Sequence, residues 1–464
     1  MSQEKRFLAA VREAIGGTER DFTEGSLSRG VVLLAIPMVL EMTMESVFAV
    51  VDIFFVARLG NDAISTVGLT EALLCLIYAV AMGLALGTTA MIARRIGEKD
   101  PRAAGVVAVQ SIVLAGIVAA VIGLGGGSAA PRLLRLMGAS AEIVDTGSAY
   151  TTILLATNAV IMLLFINNAI FRGAGDASLA MRSLWLANGI NIVLDPCLIF
   201  GLGPFPEMGL TGAAVATTLG RGTAVLYQLS ALSRDGGRIR LRRRDWRFVP
   251  RVMSRLIRVS TGGVLQFLVE TASFVGLVRI VAYFGSTALA GYTIGIRIII
   301  FALLPSWGMG NAAATLVGQN LGAKKPDRAE RSVLLTGFYN MLFLGGVSVI
   351  FIVFARPMVS LFHTDPEVIA TGTECLRIIS YGYVFFAWGM VTVQCFNGAG
   401  DTMTPTWVNL FCFWIVQIPL AYFLAHVVDL GPAGVFWAIA ISYSVSAVVG
   451  FYLFRRGRWK ERAI

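Results

Sequence analysis

The sequence predicts an all-α integral membrane protein with twelve transmembrane helices. Of its 464 residues, 56% are hydrophobic and only 14% are charged, whereas soluble domains carry about 25% charged residues. Uncharged apolar runs recur along nearly the whole chain, and about 20 such residues cross a hydrocarbon core of about 30 Å as a helix. The strands of a membrane barrel would instead alternate polar and apolar residues over about 10 positions. A helical bundle is therefore the predicted fold class.

The apolar runs define twelve predicted spans. Their approximate positions are 31–57, 66–93, 103–126, 146–171, 177–202, 209–233, 256–284, 290–318, 330–355, 373–397, 403–428 and 433–454. Because the number of spans is even, both ends of the chain are predicted on the same side of the membrane.

Basic residues identify that side. Thirty of the 38 Lys and Arg, Arg172 among them, fall in the terminal segments and in the loops on one side, against four on the other side and four within spans. Cytoplasmic loops of membrane proteins carry this excess of Lys and Arg. We therefore expect both termini in the cytoplasm and the protein in the cell (inner) membrane.

An internal repeat relates the two halves of the sequence. Residues 171–176 (Phe-Arg-Gly-Ala-Gly-Asp) recur as residues 396–401 (Phe-Asn-Gly-Ala-Gly-Asp), a shift of 225 positions. With six spans per copy, the two copies share one orientation and are related by an axis normal to the membrane. The predicted organisation is a cytoplasmic segment (1–30), an amino lobe (31–233), a basic cytoplasmic linker (234–252), a carboxyl lobe (253–455) and a cytoplasmic tail (456–464).

Two segments outside the spans suit contact with the membrane surface. One face of a candidate helix carries Phe7, Leu8, Val11 and Ile15 beside basic residues. This pattern suits a helix lying on the inner leaflet about as well as it suits a frayed tail. The arginine-rich linker predicts contact with anionic inner-leaflet lipids rather than with nucleic acid.

Polar side chains inside the spans are the functional candidates, because charge in a bilayer is costly. They form three stripes at helical spacing, each on one face of a span. The first span carries Glu41, Glu45, Phe48 and Asp52; the fifth carries Asn188, Asn191 and Asp195 beside Pro196; the seventh carries Gln266, Glu270 and Ser273.

The repeat separates functional acids from structural ones. Asp52 corresponds to Leu277 in the second half, and Asp195 corresponds to Ile418 when the two span prolines are aligned. An acid needed for packing would be expected in both halves, so these two are predicted to be functional. Glu45 recurs as Glu270, which leaves both roles open, and Glu71 is predicted to pair with a span arginine.

Enzymatic chemistry has no signature in the sequence. It contains no Gly-Lys dipeptide for a phosphate-binding loop and no Gly-x-Ser-x-Gly or His-Glu-x-x-His motif. The five cysteines are isolated from one another, and the two histidines are far apart. We therefore expect no enzyme activity, no cofactor and no disulfide framework.

Several motifs, which occur in the same order along the chain, resemble those of the multidrug and toxic compound extrusion (MATE) family over about residues 22–455. They are the opening Leu27–Pro37 segment, Ile294–Ile298, Gly318–Ala323 and the paired Gly-Ala-Gly-Asp turns. The resemblance implies a V-shaped arrangement of two six-helix lobes, and it is nearer to the DinF-like branch, with some NorM-like features.

The resemblance also implies roles for particular residues. The cation or proton coupling site would be Asp52, Asn191, Asp195 and Thr217, also the candidate Na⁺ ligands; the substrate cavity would include Glu45, Phe48, Tyr150, Asn168 and Asn188; a second acidic site would hold Glu270 and Gln266.

The carboxyl lobe departs from the NorM-like pattern at Phe386, where those members carry an aspartate. Coupling is therefore expected in the amino lobe. The predicted function is antiport of protons, or of Na⁺, against amphipathic and cationic organic compounds, by a monomer that uses small molecules and lipids as partners. The alternatives are a lipid-linked oligosaccharide flippase of the same superfamily and, from another class, a membrane-embedded enzyme.

Overall fold

The computed structural model describes residues 3–17, 20–234, 237–462 and 464, with side chains from residue 9 onward except that of residue 243. All the long elements of this part of the chain are helices. The sixteen α-helical segments are α1 Gln3–Gly16, α2 Leu27–Val56, α3 Asn61–Gly97, α4 Pro101–Leu136, α5 Ala141–Ala156, α6 Asn158–Ala174, α7 Ala177–Phe200, α8 Gly209–Ser233, α9 Pro250–Ala282, α10 Ser286–Gly322, α11 Pro326–Ser360, α12 Pro366–Tyr381, α13 Tyr383–Ala399, α14 Met403–Asn409, α15 Ile418–Tyr422 and α16 Pro432–Arg455.

These segments account for the twelve predicted spans. Within the described residues, nine helices are long and apolar enough to cross a membrane, and the continuous helix Met403–Val427, which includes α14 and α15, is one of them. Two bent pairs, α5 with α6 and α12 with α13, add one span each. The remaining span is α8, 25 residues long, which carries Arg221 and several threonines and is therefore less apolar.

The fourth and tenth spans are bent, which the apolar runs did not predict. The angles are 40° between α5 and α6 and 57° between α12 and α13. Thr157 interrupts the first pair with φ −94° and ψ 13°, and its hydroxyl donates to the carbonyl oxygen of Ile153. Gly382 interrupts the second pair, 225 positions later. The bend is thus a property of the repeat.

The backbone repeats at the interval found in the sequence. Helix α3 and helix α10 begin and end 225 positions apart. Gly60 and Gly285, which precede them, have φ values of 101° and 97°. Gly175 and Gly400, in the two Gly-Ala-Gly-Asp turns, have φ values of 85° and 83°, a region that disfavours side chains. The predicted all-α fold with an internal repeat is confirmed.

Helices α3 and α10 meet at their carboxyl ends and separate toward their amino ends. A Cβ at Gly97 would lie 1.9 Å from the carbonyl oxygen of Gln319, and one at Gly322 would lie 2.2 Å from that of Arg94. At the opposite ends, Cβ atoms at Gly60 and Gly285 would meet nothing within 4 Å. We call the end with the glycine contacts the closed end; it is the predicted cytoplasmic end.

The amino-terminal segment is helical, one of the two alternatives that the sequence left open. Helix α1 ends at Gly16, and Ala14 is buried in a small cluster with residues of α2. Phe7 and Leu8, which belong to the predicted apolar face, have side chains outside the described ones. The domain boundaries and the contact of this helix with lipid stay predictions.

Gly97 provides a test of the closed end. We expect Gly97→Ala to lower the apparent Tm of the purified protein by about 2 °C or more, because a methyl group cannot fit against the Gln319 carbonyl. Gly68→Ala, in the same helix and with no atom within 4 Å of the added Cβ, is the matched control and should not lower it. Equal effects of the two substitutions would contradict the packing described here.

Candidate functional site

The predicted coupling residues of the fifth and sixth spans form a buried polar cluster. The Asn191 amide nitrogen donates to Asp195 Oδ1 and to Thr217 Oγ1, each at 3.2 Å. Asp195 is fully buried and Asn191 is 2% exposed. Asp195 Oδ2 and Asn191 Oδ1 have no hydrogen-bond partner within the described residues. Asp195 Oδ2 is therefore free to take a proton, and both oxygens are free to bind a hard cation.

Glycines bring the two helices of this cluster close together. A Cβ at Gly220 would lie 2.6 Å from the Ala187 carbonyl oxygen, and one at Gly212 would lie 2.4 Å from that of Leu198. Asn191 and Asp195 are four residues apart on α7, so they share the face that α8 covers. The close approach of α8 allows the short Thr217 side chain to reach Asn191.

Asp52 approaches the cluster from α2 and remains partly exposed. It lies within electrostatic range of Asp195 and of Glu71 on α3. Tyr150, which is 5% exposed, lies within the same range of all three carboxylates. The site thus contains several acidic groups around one phenol, which disfavours simultaneous ionisation of all of them.

The negative charge of Glu45 is compensated by a nearby arginine. Its carboxylate lies 3.5 Å from the Arg221 guanidinium and 3.3 Å from the Asn188 amide. Arg221 also donates to the Tyr78 hydroxyl at 3.0 Å and lies 5.4 Å from the centre of the Phe48 ring. Glu45, Phe48 and Asn188 therefore belong to one network, in which the acid is paired.

Glu41 belongs to a second, more deeply buried network. Its Oε1 accepts from Arg172 at 2.8 Å and from Asn168 at 3.0 Å, and the Asn168 amide oxygen accepts from Gln228 at 2.6 Å. Glu41 is 1% exposed and Arg172 is 8% exposed. The assignment of Arg172 to the loop charges is thus wrong: charge counting places it near a helix end but cannot detect the acid that buries it.

The ion pair predicted for Glu71 is not formed in this conformation. Within the described residues Glu71 makes no ion pair within 4 Å, although Arg297 on α10 is close enough to interact electrostatically. Both side chains are exposed.

Glu270 lines a cavity in the second half of the molecule that shares Phe267, Trp307 and Gln394 with the central cavity described below. Gln266, Phe386 and Tyr443 line the same cavity, and the last two rings pack with centroids 4.4 Å apart. Gln266 Oε1 is buried without a partner within the described residues. Phe386, where the NorM-like pattern predicts an aspartate, thus contributes an aromatic surface to this cavity.

A central cavity is lined by residues from both halves. Alanine, methionine and aromatic side chains make up about half of the lining, together with a few amides and the guanidinium of Arg172. Its lining includes Met42, Met82, Phe165, Phe267, Trp307, Asn311, Gln394 and Asn397. Such side chains adapt to apolar ligands of different shapes. Sequence periodicity did not identify this cavity, because methionine and phenylalanine inside a span do not differ from lipid-facing residues in a hydropathy pattern.

A two-lobed bundle with buried carboxylates beside a central cavity defines the class of multi-pass membrane transporters. The MatE family model matches residues 37–197 and again residues 264–423, one match in each half. The chain belongs to the MATE family, as its motifs predicted.

Individual relatives cover nearly the whole chain. The probable multidrug resistance protein YoeA of Bacillus subtilis is 26% identical over 446 residues, which cover 95% of this chain and 96% of that protein. The FAD transporter of Shewanella oneidensis is 25% identical over 437 residues, 93% of this chain and 95% of that protein. A crystal structure of a MATE protein in complex with MaL6 superposes with a TM-score of 0.90 at 28% identity, covering 97% of this chain and 100% of the other.

The Glu41–Arg172 pair can be tested as a structural element. Glu41→Gln leaves the Arg172 charge buried without a carboxylate, and we expect it to cost about 3–5 kcal/mol of stability. The double variant Glu41→Met with Arg172→Met should recover most of this loss, measured as thermal stability of the purified protein. Glu45→Gln is the control with a smaller effect, because the Glu45 side chain is 28% exposed and Arg221 keeps Tyr78. No recovery in the double variant would contradict a purely structural role.

Proposed function

We propose that the protein is a secondary antiporter that exports amphipathic, cationic organic compounds in exchange for protons, with Na⁺ as the alternative ion. The observation that carries this proposal is the buried cluster of Asn191, Asp195 and Thr217, with two unpartnered oxygens and Asp52 nearby. The name of the Bacillus subtilis relative supports the choice of substrates.

Alternating access links ion uptake on the outer side to substrate uptake on the cytoplasmic side. In the outward-open state, the amino-lobe carboxylates take a proton, and the substrate leaves. Rocking of the lobes then exposes the site to the cytoplasm, where proton loss restores the charge that a cationic substrate favours. Exchange of one proton for one monovalent cation moves no net charge, so the pH gradient alone drives it. A second proton moves one net charge inward, which contributes about 2.3 kcal/mol across 100 mV.

The balance of charge in the cavities supports a cationic substrate. Arg172 and Arg221 are each paired with a glutamate. Asp52, Glu71 and Glu270 make no ion pair within 4 Å in the described part of the chain, and neither does Asp195. Among the span arginines, Arg279 and Arg297 also make no ion pair within 4 Å in the described residues. A flippase for pyrophosphate-linked sugars, or a carrier of an anionic dinucleotide like the one named for the Shewanella oneidensis relative, would need an excess of free cationic groups rather than of free carboxylates.

Substitution of the coupling carboxylates tests the site. Asp195→Asn and Asp52→Asn each keep the shape of the side chain and lose its titrating group. We expect both variants to reach the membrane at wild-type levels and to lose at least 90% of drug efflux, roughly 10-fold or more, since coupling needs the charge. Full drug resistance in both variants would show that coupling occurs elsewhere.

Glu270, the acid of the carboxyl lobe, allows the two lobes to be compared by the size of the efflux defect. Because Phe386 occupies the position of a second acid, Glu270→Gln should impair efflux less than Asp195→Asn does. Efflux rates normalised to protein in the membrane give the comparison. A more severe defect in Glu270→Gln would move the coupling site to the carboxyl lobe.

The coupling ion is tested by separate gradients. In proteoliposomes with an imposed pH gradient and sodium-free buffer, we expect dye efflux, because two neighbouring carboxylates share a proton readily. The matched experiment imposes an inward sodium gradient at equal pH. Efflux in the second experiment alone would assign the site to Na⁺. The oxygen atoms of Asp52, Asn191, Asp195 and Thr217 are suitable ligands for that ion.

A further inference from the structure

The chain between α1 and α2 crosses the closed end of the molecule. Residues 21–25 (Asp-Phe-Thr-Glu-Gly) form an irregular turn there, and we call this segment the strap. Phe22 is 3% exposed and Thr23 is also 3% exposed, so the strap is packed into the protein. A Cβ at Gly175, in the α6–α7 turn, would lie 2.9 Å from the Phe22 ring.

The second half of the molecule holds the strap by its backbone. Lys325 donates to the Thr23 carbonyl oxygen at 3.0 Å. Arg328 donates to the carbonyl oxygens of Gly25 at 3.0 Å, Glu24 at 2.8 Å and Phe22 at 3.4 Å. One guanidinium thus binds three carbonyl oxygens within four residues of the strap, in the fixed planar geometry that distinguishes arginine from lysine.

The first half holds the strap by its side chains. The ammonium group of Lys99 lies 3.5 Å from Asp21 Oδ2 and 3.5 Å from Glu24 Oε1. Burial alone would raise the pKa of Asp21, but hydrogen bonds from Thr23 and the nearby Lys99 charge lower it below its ordinary value. Asp21 therefore stays charged at neutral pH and keeps its attraction for Lys99.

The two anchoring loops are equivalent in the repeat. Lys99 follows α3 and Lys324 follows α10, 225 positions later, with φ values of 60° and 58°. Lys325 is the next residue, and Arg328 lies in the first turn of α11. Because each loop moves with its own half of the molecule, the strap spans the line along which the two halves must separate when the closed end opens.

We propose that the strap is a conformational latch that bridges the two halves at the closed end and stabilises the state open at the other end. Opening of the closed end then requires the strap to leave one of its two anchors. The strap continues directly into α2 and packs Phe22 against Gly175, both in the amino half, so the hydrogen bonds to Lys325 and Arg328 are the contacts that break. The strap therefore stays with the amino half during the transition, and its bonds to the carboxyl half exist only while the closed end is closed.

The strap acts alongside direct contacts between the halves. Thr315 and Gln319 of α10 donate to the carbonyl oxygens of Arg172 and Gly173 at 3.1 Å and 3.0 Å. Loss of the strap contacts should consequently shift the population of states without opening the closed end completely.

The inference rests on the alternating access proposed above, and its test measures distance rather than transport. Spin labels at Arg102→Cys and Arg331→Cys, both exposed near the closed end, report the separation of the halves in the full chain in lipid nanodiscs, with the five native cysteines replaced. We expect Arg328→Met to raise the fraction with the longer distance about tenfold, since it removes three charge-assisted hydrogen bonds. Lys99→Met should raise it less.

Lys324→Met is the matched control. It removes one positive charge from the same loop, and the Lys324 side chain makes no hydrogen bond or ion pair in the described part of the chain. It should leave the distance distribution unchanged. If Arg328→Met does not fold, Arg328→Lys keeps the charge but loses the planar fork, and it should shift the fraction in the same direction. Distance distributions in the Arg328 variant that match those of Lys324→Met would overturn the latch, whatever ion or substrate the protein carries.

Discussion

The free-energy cost of charge inside a bilayer is the constraint on which this structure depends. The protein satisfies it in two ways. Glu41 and Glu45 are each paired with an arginine, so their charge is compensated locally. Asp195 is fully buried and has only an asparagine amide as partner, with one oxygen unpartnered in the described residues. Its charged form therefore needs a further partner, and a proton or a small cation supplies it. In the function proposed here, that need distinguishes Asp195, as a coupling group, from the paired glutamates.

Small residues make both the site and the movement sterically feasible. Gly212 and Gly220 allow α8 to approach α7, so that Thr217 reaches Asn191. Gly97 and Gly322 allow α3 and α10 to touch at the closed end, while the same two helices diverge toward the site. A pair of helices that touches at only one end can exchange that contact for one at the other end, which is the geometric requirement of alternating access. The strap adds contacts that exist in only one of the two arrangements.

Much of this architecture follows from the sequence, because apolar length and the repeat are strong local signals. The interval of 225 residues correctly predicted the equivalence of α3 and α10, and the helical spacing correctly put Asn191 and Asp195 on one face. The bends at Thr157 and Gly382 escaped prediction because neither residue ends an apolar run. Arg172 was misplaced because its partner, Glu41, lies 131 positions away, and only the folded chain shows that the two meet. The ionic roles of Asp52, Asp195 and Glu270 stay predictions, since geometry alone does not record which ion moves.

The most direct test of the central claim measures protons rather than transport. Purified protein in weakly buffered, sodium-free solution is titrated with tetraphenylphosphonium, and the pH of the solution is followed together with binding. The account predicts that the wild-type protein releases protons as the organic cation binds, and that Asp195→Asn releases fewer protons or none. Wild-type binding of the cation with no proton release, or undiminished release by Asp195→Asn, would contradict coupling through the amino-lobe carboxylates.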